Sequence, residues 1–174
     1  EEGFQLGNEK RNYDRIHLIG HSRGGGMAIL AAAKFPQINK LITWAAVSDF
    51  SDRFNFDMVK WKADGVIHVK NTRTDQLLPH NYSFYTDFVD NHKELDIPSC
   101  AKKLKLPWLI AHGQDDEAVS ISSADHLKSL NHQAKLVIIK ETGHTFQGSH
   151  PWKEESLPPK LDALVGFTLD FIAS

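Results

Sequence analysis

A serine stands at the centre of a glycine-rich hexapeptide, GHSRGG, at residues 20–25. Gly20 and Gly24 flank Ser22 at two-residue spacing, which would allow the backbone to turn sharply and hold Ser22 in a strained conformation at the tip. A serine hydroxyl is a poor nucleophile at neutral pH. It needs a base within hydrogen-bond reach, a third group that orients the base, and donors for the developing oxyanion. The pattern indicates either a nucleophile with partners elsewhere in the chain or an ordinary glycine-serine turn.

The residues on either side of Ser22 favour the nucleophile. A short β-branched run predicts a strand at about 15–20, and an alanine-rich run predicts a helix at about 23–35 that ends before Pro36. A strand-to-helix turn lifts the serine hydroxyl above the sheet, which is the context that this pattern requires. The backbone amide of Arg23, at the start of the helix, is then a candidate donor of the oxyanion hole.

Two carboxylates follow a second predicted strand, at about 106–112. Asp115 and Asp116 come almost directly after His112 and Gly113. The carboxyl ends of parallel strands lie along one edge of a sheet, where α/β proteins bind their ligands. Either carboxylate is therefore a candidate to orient a catalytic base, and an acidic loop or a helix cap is the alternative.

A histidine occupies the corresponding place after the last predicted strand, at about 134–140. The chain contains ten histidines, and an isolated histidine is more commonly structural than catalytic. His144, however, follows Gly143 just beyond that strand. Serine, aspartate and histidine, each after its own strand, stand in a known chain order of the catalytic triad. We therefore predict that Ser22, one aspartate and His144 converge.

These three segments resemble the motifs of the α/β-hydrolase family, and the resemblance covers nearly the whole chain. GHSRGG is similar to the nucleophile elbow, HGQDDEAV to the acid loop and GHTF to the histidine loop. In many members the acid loop reads H-G-x-x-D-x-x-V, which implies Asp116 as the triad acid, with Asp115 as the alternative. Some members carry the acid after the preceding strand, and Asp49 is then a third choice.

The sequence looks most like the branch that contains dienelactone hydrolases and prolyl oligopeptidase-like proteins of bacteria. This resemblance implies a carboxylic ester hydrolase without a cofactor that acts on a small acyl substrate. Ser22 would attack the carbonyl, His144 would accept its proton and later protonate the leaving group, and Asp116 would orient His144. Water would then hydrolyse the acyl-enzyme. A serine peptidase is the alternative, and dienelactone hydrolase itself has a cysteine in place of Ser22, so its substrate is not implied.

The predicted elements place these residues on an α/β domain with a mostly parallel sheet and crossover helices. The remaining strand, at about 40–47, is apolar almost throughout, as expected for a parallel strand covered on both faces. Helices are predicted at about 122–131, with Ser122 and Asp125 as a capping pair, and at about 160–173. The last helix has one apolar face, which should close the fold against the sheet.

Residues 51–98 interrupt this alternation of strands and helices. They are rich in aromatic residues and contain the polar tract KNTRTDQ, which predicts an insertion of mixed helix and loop, a candidate cap, within a single domain covering residues 1–174. The aromatic side chains either shape a substrate pocket or form a simple core. Lys70 and Arg73 are candidates to bind an acidic substrate, with a solvated surface as the alternative.

The family fold has about eight strands, whereas this chain reaches its predicted nucleophile at residue 22. The resemblance therefore implies that N-terminal strands and the second oxyanion amide are missing from the sequence or are contributed by another chain. The sequence also begins without methionine. We expect the isolated polypeptide to self-associate through exposed strand edges and to hydrolyse a generic ester poorly, because losing one oxyanion donor costs about a hundredfold to a thousandfold in rate.

Composition argues against several other classes of protein. No apolar run approaches the roughly 20 residues that span a bilayer. The net charge of -2, with both signs interspersed, offers no basic stripe for nucleic acid. Cys100 is the only cysteine, so no disulfide can form within the chain. A reducing compartment is allowed, and a cytoplasmic location is the expectation.

Two other functions fit parts of the pattern. A metal hydrolase would use His144 with His150, or His112 with Asp115. No H-x-x-x-H pair on a helix is present, however, and two-residue clusters fall short of the three protein ligands of a catalytic zinc. A non-catalytic binding protein with a hydrolase-like fold would keep the pocket and lose the chemistry. The presence of all three triad residues favours the enzyme.

Overall fold

The computed structural model describes residues 14–70 and 75–174. In chain order the elements are β1 (Ile16–His21), α1 (Arg23–Lys34), β2 (Ile38–Trp44), a 3-10 turn (Ser51–Arg53), α2 (Met58–Asp64), β3 (Val66–Lys70), β4 (Leu77–Asn81), α3 (Ser83–Asp90), α4 (Ile97–Lys103), β5 (Trp108–Gly113), α5 (Ser122–Leu130), β6 (Lys135–Ile139) and α6 (Pro159–Ala173). Four parallel strands form the main sheet in the order β1-β2-β5-β6, and β3 and β4 form a separate antiparallel pair. The predicted α/β class with a mostly parallel sheet and crossover helices is confirmed.

The main sheet is covered on both faces, which explains its apolar central strands. Every residue of β5 is buried. On one face, α1, α4 and α5 pack over a core that includes Ile29, Leu41, Ile97, Trp108 and Leu127. On the other face, a smaller cluster contains Ala45, Ala111, Ile139, Phe146 and Leu164. Burial of each large apolar side chain contributes about 1.5–3 kcal/mol.

Helix α6 packs its apolar face against the sheet as predicted. Trp44 Nε1 donates a hydrogen bond to Thr168 Oγ1 at 3.1 Å. Lys40 Nζ donates to the carbonyl of Phe171 at 2.7 Å, which places a positive charge at the negative end of the helix dipole. Two residues of β2, Trp44 and Lys40, thus join the last helix to that strand through polar contacts. Within the described ranges, no helix has the length and apolar character needed to cross a bilayer.

Strand β2 ends three residues before its predicted limit of 47. The cause is Ala45, whose φ of 46° takes the backbone out of the extended conformation. The amide of Ala45 still donates to the carbonyl of Ala111 at 2.8 Å. The chain therefore leaves the regular strand while it remains attached to β5.

The start of α5 differs from the predicted capping pair. Ile121 is the residue at the N-cap, and no side chain caps the helix there. Ser122 is already helical, and its amide bonds to the hydroxyl of Ser120 at 3.3 Å. Ser122 and Asp125 therefore do not form the predicted cap, because the helix begins one residue earlier than that cap requires.

The aromatic segment 51–98 contains a β-hairpin in addition to the predicted helices and loops. The sequence pattern does not predict this hairpin, because Pro79, in β4, has no amide hydrogen and therefore argues against a strand at that position. Lys70 pairs with Asp75 at 2.8 Å on the exposed surface, and Arg73 lies outside the described residues. The predicted boundary at 98 falls within α4, which packs against α1.

The aromatic side chains of this segment form a small core of their own. Trp61 is fully buried, and its Nε1 donates to the carbonyl of His80 at 2.8 Å. The ring centroid of Phe54 lies 5.2 Å from that of Tyr85 and 4.9 Å from that of Phe88. Aromatic pairs at such distances contribute about 0.5–1.5 kcal/mol each beyond their buried area. The segment is therefore a packed unit and not an open loop.

Strand β1 lies at an edge of the main sheet. Among the described strands it pairs with β2 alone. Its side chains Ile16 and Ile19 are 39% and 46% exposed. An unpaired strand edge is a template for pairing with another chain. The predicted self-association of the polypeptide stays a prediction.

Asp96 caps α4, and its removal should destabilise the fold. Its carboxylate accepts from the amide of Ser99 at 2.9 Å, and hydrogen bonds from the side chain and backbone of Ser99 lower the pKa of Asp96. Asp96→Ala should reduce the free energy of unfolding by about 1 kcal/mol at neutral pH, measured by urea denaturation. Because the folded-state pKa is lowered, the stabilisation is present above the unfolded pKa, and the two proteins should converge as the pH falls below about 4.

The control for this experiment is Asp90→Ala, at the exposed C-terminal end of α3. A surface substitution of this kind should change the free energy of unfolding by less than about 0.5 kcal/mol. Equal losses from the two substitutions would show that Asp96 does not act as a cap.

Candidate active site

Ser22 occupies the turn between β1 and α1. Its φ of 57° and ψ of -124° lie outside the regions that non-glycine residues favour. Such a conformation costs about 1–3 kcal/mol and must be held by its surroundings. The amide of Ser22 donates to the carbonyl of Trp44 at 2.9 Å, and the carbonyl of Ser22 accepts from the amide of Val47 at 3.2 Å. The backbone amide and carbonyl of Ser22 are therefore tied to the end of β2 and to the chain just after it.

A glycine at position 20 is required by close approach of the backbone. A Cβ atom there would lie 2.3 Å from the carbonyl oxygen of Gly24 and 2.8 Å from Cβ of Ala28. At Gly24, by contrast, a Cβ atom would meet nothing within 4 Å. Of the two glycines that define the motif, the first one thus allows α1 to start directly against the strand.

Arg23 is the first residue of α1, next to the predicted nucleophile. The amides of the first helical turn have no carbonyl partner within their helix, so the amide of Arg23 is available to a ligand at this end of the sheet. Its guanidinium carbon lies 5.4 Å from the ring centroid of Phe84, in segment 51–98. Arg23 therefore connects the serine turn with that segment.

The side chain of Asp116 is fully buried, and both of its carboxylate oxygens accept hydrogen bonds. Oδ1 accepts from the amides of Ala118 and Val119, each at 2.9 Å. Oδ2 accepts from Nδ1 of His144 at 2.8 Å. Because a carboxylate only accepts when it is ionised, Nδ1 of His144 carries the proton in this pair. The Nε2 atom of neutral His144 is then left with a lone pair that can accept a proton.

His112 supports Asp116 from the interior of the protein. The imidazole is fully buried, and Nε2 donates to the carbonyl of Val119 at 2.9 Å while lying 3.3 Å from Oδ2 of Asp116. A carbonyl cannot donate, so Nε2 carries a proton. The sequence motifs predict no such role for His112, although its place in the H-G-x-x-D-x-x-V pattern is a signal.

Among the described residues, the side chains of the other two candidate acids make no hydrogen bond to the histidine. Asp115 is exposed, and its backbone amide donates to the carbonyl of Thr142 at 2.9 Å. Asp49 accepts from the amide of Ser51 at 2.8 Å, in the segment that follows β2. Of the three carboxylates, the structure brings Asp116 to His144.

Ser22 and His144 lie at the same end of the sheet, but their side chains are not hydrogen-bonded to each other in the described residues. The residue before the serine makes the contact instead. Nε2 of His21 lies 2.9 Å from the carbonyl oxygen of His144, and the two ring centroids are 4.6 Å apart. Catalytic hydrogen bonds are often long without substrate and tighten when it binds.

Neither of the metal-binding pairs considered from the sequence forms a ligand cluster. In the part of the chain that the structure describes, no group of three or more His, Cys, Asp or Glu side chains is arranged to hold a metal ion. His144 bonds to Asp116, and His112 bonds to the carbonyl of Val119. These contacts orient the two imidazoles toward protein partners.

Comparison with known proteins finds similarity to proteins that are named as a peptidase and as a serine hydrolase. No family model matches it. It is 29% identical over 142 residues to the Bacillus subtilis protein named uncharacterized peptidase YtmA, a match covering 76% of this chain and 49% of that protein. It is 25% identical over 152 residues to the human serine hydrolase BPHL, covering 77% of this chain and 50% of that protein. The chain spans about half the length of the curated relatives it matches.

Solved structures share the fold. MGS-MChE2, described as an α/β hydrolase enzyme from the metagenome of sediments of the lagoon of Mar Chica, Morocco, aligns with a TM-score of 0.58 at 19% sequence identity. The alignment covers 93% of this chain and 64% of that one. The chain therefore has the α/β-hydrolase fold, as the sequence motifs predicted.

Gly113 allows the loops that carry Asp116 and His144 to meet, and its substitution should destabilise the protein. A Cβ atom at 113 would lie 2.6 Å from the carbonyl oxygens of Thr142 and Gly143. Gly113→Ala should lower the free energy of unfolding by about 1–3 kcal/mol, because one backbone segment must move. The measurement is urea denaturation of the purified variant.

Gly166→Ala is the matched control, since a Cβ atom at this exposed position of α6 would meet nothing within 4 Å. It should stabilise the helix by up to about 1 kcal/mol. A Gly113→Ala variant as stable as the Gly166→Ala variant would contradict the close approach of the two loops.

Proposed function

We propose that this protein is a serine hydrolase that cleaves a carboxylic ester or a related acyl bond through an acyl-enzyme. The hydrogen bond of 2.8 Å between Asp116 and Nδ1 of His144 carries the proposal, because it leaves Nε2 as a base at the end of the sheet where Ser22 stands. The strained conformation of Ser22 supports a nucleophile. The names of the two relatives, a peptidase and a serine hydrolase, point to the same chemistry.

The residues would act in two steps. Ser22 Oγ attacks the carbonyl carbon while His144 Nε2 takes the hydroxyl proton, and the amide of Arg23 donates to the oxyanion. The tetrahedral intermediate then collapses as His144 returns the proton to the leaving group, which departs and leaves the acyl group on Ser22. A water molecule repeats the sequence and releases the acid. Asp116 stabilises the imidazolium that forms in each step.

A serine peptidase is the second candidate, favoured by the peptidase name of the Bacillus subtilis relative. The same residues would serve, with His144 protonating an amine instead of an alcohol. The placement in the branch of dienelactone hydrolases and prolyl oligopeptidase-like proteins stays a prediction. Turnover of ester and peptide substrates by the same preparation would separate the two activities.

We further propose that segment 51–98 contributes a wall of the substrate pocket through its residues between 79 and 87. Phe84 lies under the guanidinium of Arg23, and Arg53 Nη1 donates to the carbonyl of Ala118 in the acid loop at 3.3 Å. A depression of about 500 Å³, open to solvent, is lined by Arg23 and by six residues of the segment between 79 and 87, among them Phe84. The segment thus borders both the serine turn and the loop that holds Asp116.

A fluorophosphonate probe should label Ser22 in the full-length protein and should fail to label Ser22→Ala. Such probes react with serine hydroxyls that a base activates. Cys100 is not expected to compete, because burial raises the pKa of its thiol and keeps it protonated. Labelling that persists in Ser22→Ala would rule out Ser22 as the nucleophile, and activity lost to a chelator would favour a metal hydrolase.

The two neighbouring acids provide a matched pair. Asp116→Asn should lower kcat by about a thousandfold to ten-thousandfold, because it disfavours the histidine tautomer that accepts the serine proton. Asp115→Asn, at an exposed position, should change kcat by less than about threefold. A larger loss from Asp115→Asn would move the role of the triad acid to Asp115.

Phe84→Ala tests the proposed pocket wall. It should raise KM about tenfold with a smaller change in kcat, because it removes contacts made by the bound substrate as well as by the transition state. Val59→Ala is the control. Val59 lies on α2 and is 82% exposed, so its substitution should leave KM unchanged. Equal KM values for wild type and Phe84→Ala would mean that substrate binds elsewhere.

A further inference from the structure

We propose that His21 is a positioning residue that holds the loop of the catalytic base against the strand of the nucleophile. The proposal rests on the serine hydrolase function given above. It concerns a side chain that takes no part in bond making or breaking, and it explains how Ser22 and His144 are kept at a fixed separation.

The main sheet by itself does not connect these two residues. Ser22 follows β1 and His144 follows β6, which stand at opposite edges of the order β1-β2-β5-β6. Neighbouring strands lie 4.7–4.9 Å apart, so β1 and β6 are separated by about 14 Å. The loop after β6 must therefore reach back across β5 and β2 to bring an imidazole near the serine.

Two contacts hold this loop over the central strands. Asp116, in the loop that follows β5, binds Nδ1 of His144 at 2.8 Å. Phe146 is only 2% exposed, and its ring centroid lies 6.5 Å from that of Trp44, the last residue of β2. These contacts fix the loop relative to β5 and β2. Neither contact reaches β1 itself, which is joined to them through its pairing with β2.

His21, the last residue of β1, contacts this loop directly. Its Nε2 lies 2.9 Å from the carbonyl oxygen of His144, which is 123 residues away in the sequence. Because the carbonyl can only accept, Nε2 of His21 donates, in the neutral and in the charged imidazole alike. The ring also stands edge-on to Phe146, with centroids 6.4 Å apart. His21 directly precedes Ser22 in the chain, so its side chain joins the strand of the proposed nucleophile to His144, the proposed base.

The consequence for the reaction is geometric. Ser22 and His144 share no side-chain hydrogen bond in the described structure, so the position of the loop sets the distance that the proton must cross. A displacement of about 1 Å in such a site costs about a hundredfold in rate. Loss of the His21 contact should therefore lower kcat and leave KM nearly unchanged.

Three substitutions test this role in the full-length protein. Glutamine carries an amide N–H at about the reach of histidine Nε2, whereas the shorter asparagine ends near the position of Nδ1, and leucine carries no donor. His21→Gln should retain kcat within about threefold of wild type. His21→Asn and His21→Leu should each lose about tenfold to a hundredfold in kcat and in the rate of fluorophosphonate labelling, with KM within about threefold.

His92→Leu is the matched control. His92 also bonds a backbone carbonyl through its ring, from Nδ1 to Val89 at 2.9 Å, but it follows the C-cap of α3 and lies outside both the proposed triad and the lining of the proposed pocket. It should keep the wild-type kcat. Thermal unfolding of all variants separates loss of activity from loss of folding, and where His21→Leu does not fold, the glutamine and asparagine variants decide.

The outcomes separate the two proposals. A wild-type protein that the probe does not label at Ser22 overturns the proposed function, and the role of His21 with it. A labelled wild type with unchanged kcat in His21→Asn and His21→Leu overturns the role of His21 alone. Equal losses in the glutamine and asparagine variants do the same, because a donor at the right reach would then make no difference.

Discussion

The buried carboxylate of Asp116 is the constraint on which the site depends. An unpaired charge without solvent is unfavourable by several kcal/mol, so the surrounding chain must supply donors. Two come from the backbone, where the acid loop turns so that the amides of Ala118 and Val119 point at Oδ1. The third comes from His144, on a different loop. Satisfying one carboxylate therefore orders both loops and sets the tautomer of the imidazole.

The strained turn at Ser22 is a second constraint, and it is satisfied on a different part of the sheet. Its cost is offset by hydrogen bonds to the last residue of β2 and to the chain just after it, and by the close packing that Gly20 permits. The serine and the buried carboxylate are thus held by separate contacts. The parallel arrangement of the strands places both at one end of the sheet, which is the condition for them to act on one ligand.

Segment 51–98 stands apart from these constraints because it has its own aromatic core. It touches the residues around the site at Arg23 and Ala118, through the side chains of Phe84 and Arg53. A unit held internally and joined to the site by few contacts can change the shape of a pocket without disturbing the sheet. This arrangement separates the residues proposed to perform the reaction from those proposed to select the substrate.

The sequence alone predicts the main sheet, its crossover helices and the three loops that carry candidate catalytic residues. These features depend on hydrophobic runs and on glycine spacing, which are patterns within short stretches of chain. The choice of Asp116 over Asp115 and Asp49 was favoured by a motif, but the contact with His144, 28 residues away, exists only in the folded chain. The hairpin of β3 and β4 was not predicted, because β4 contains Pro79 and a strand accommodates a proline only where no amide hydrogen is needed. The contact of His21 carries no local signal, since it joins an imidazole to the carbonyl of His144, 123 residues away, which tertiary structure alone brings within reach.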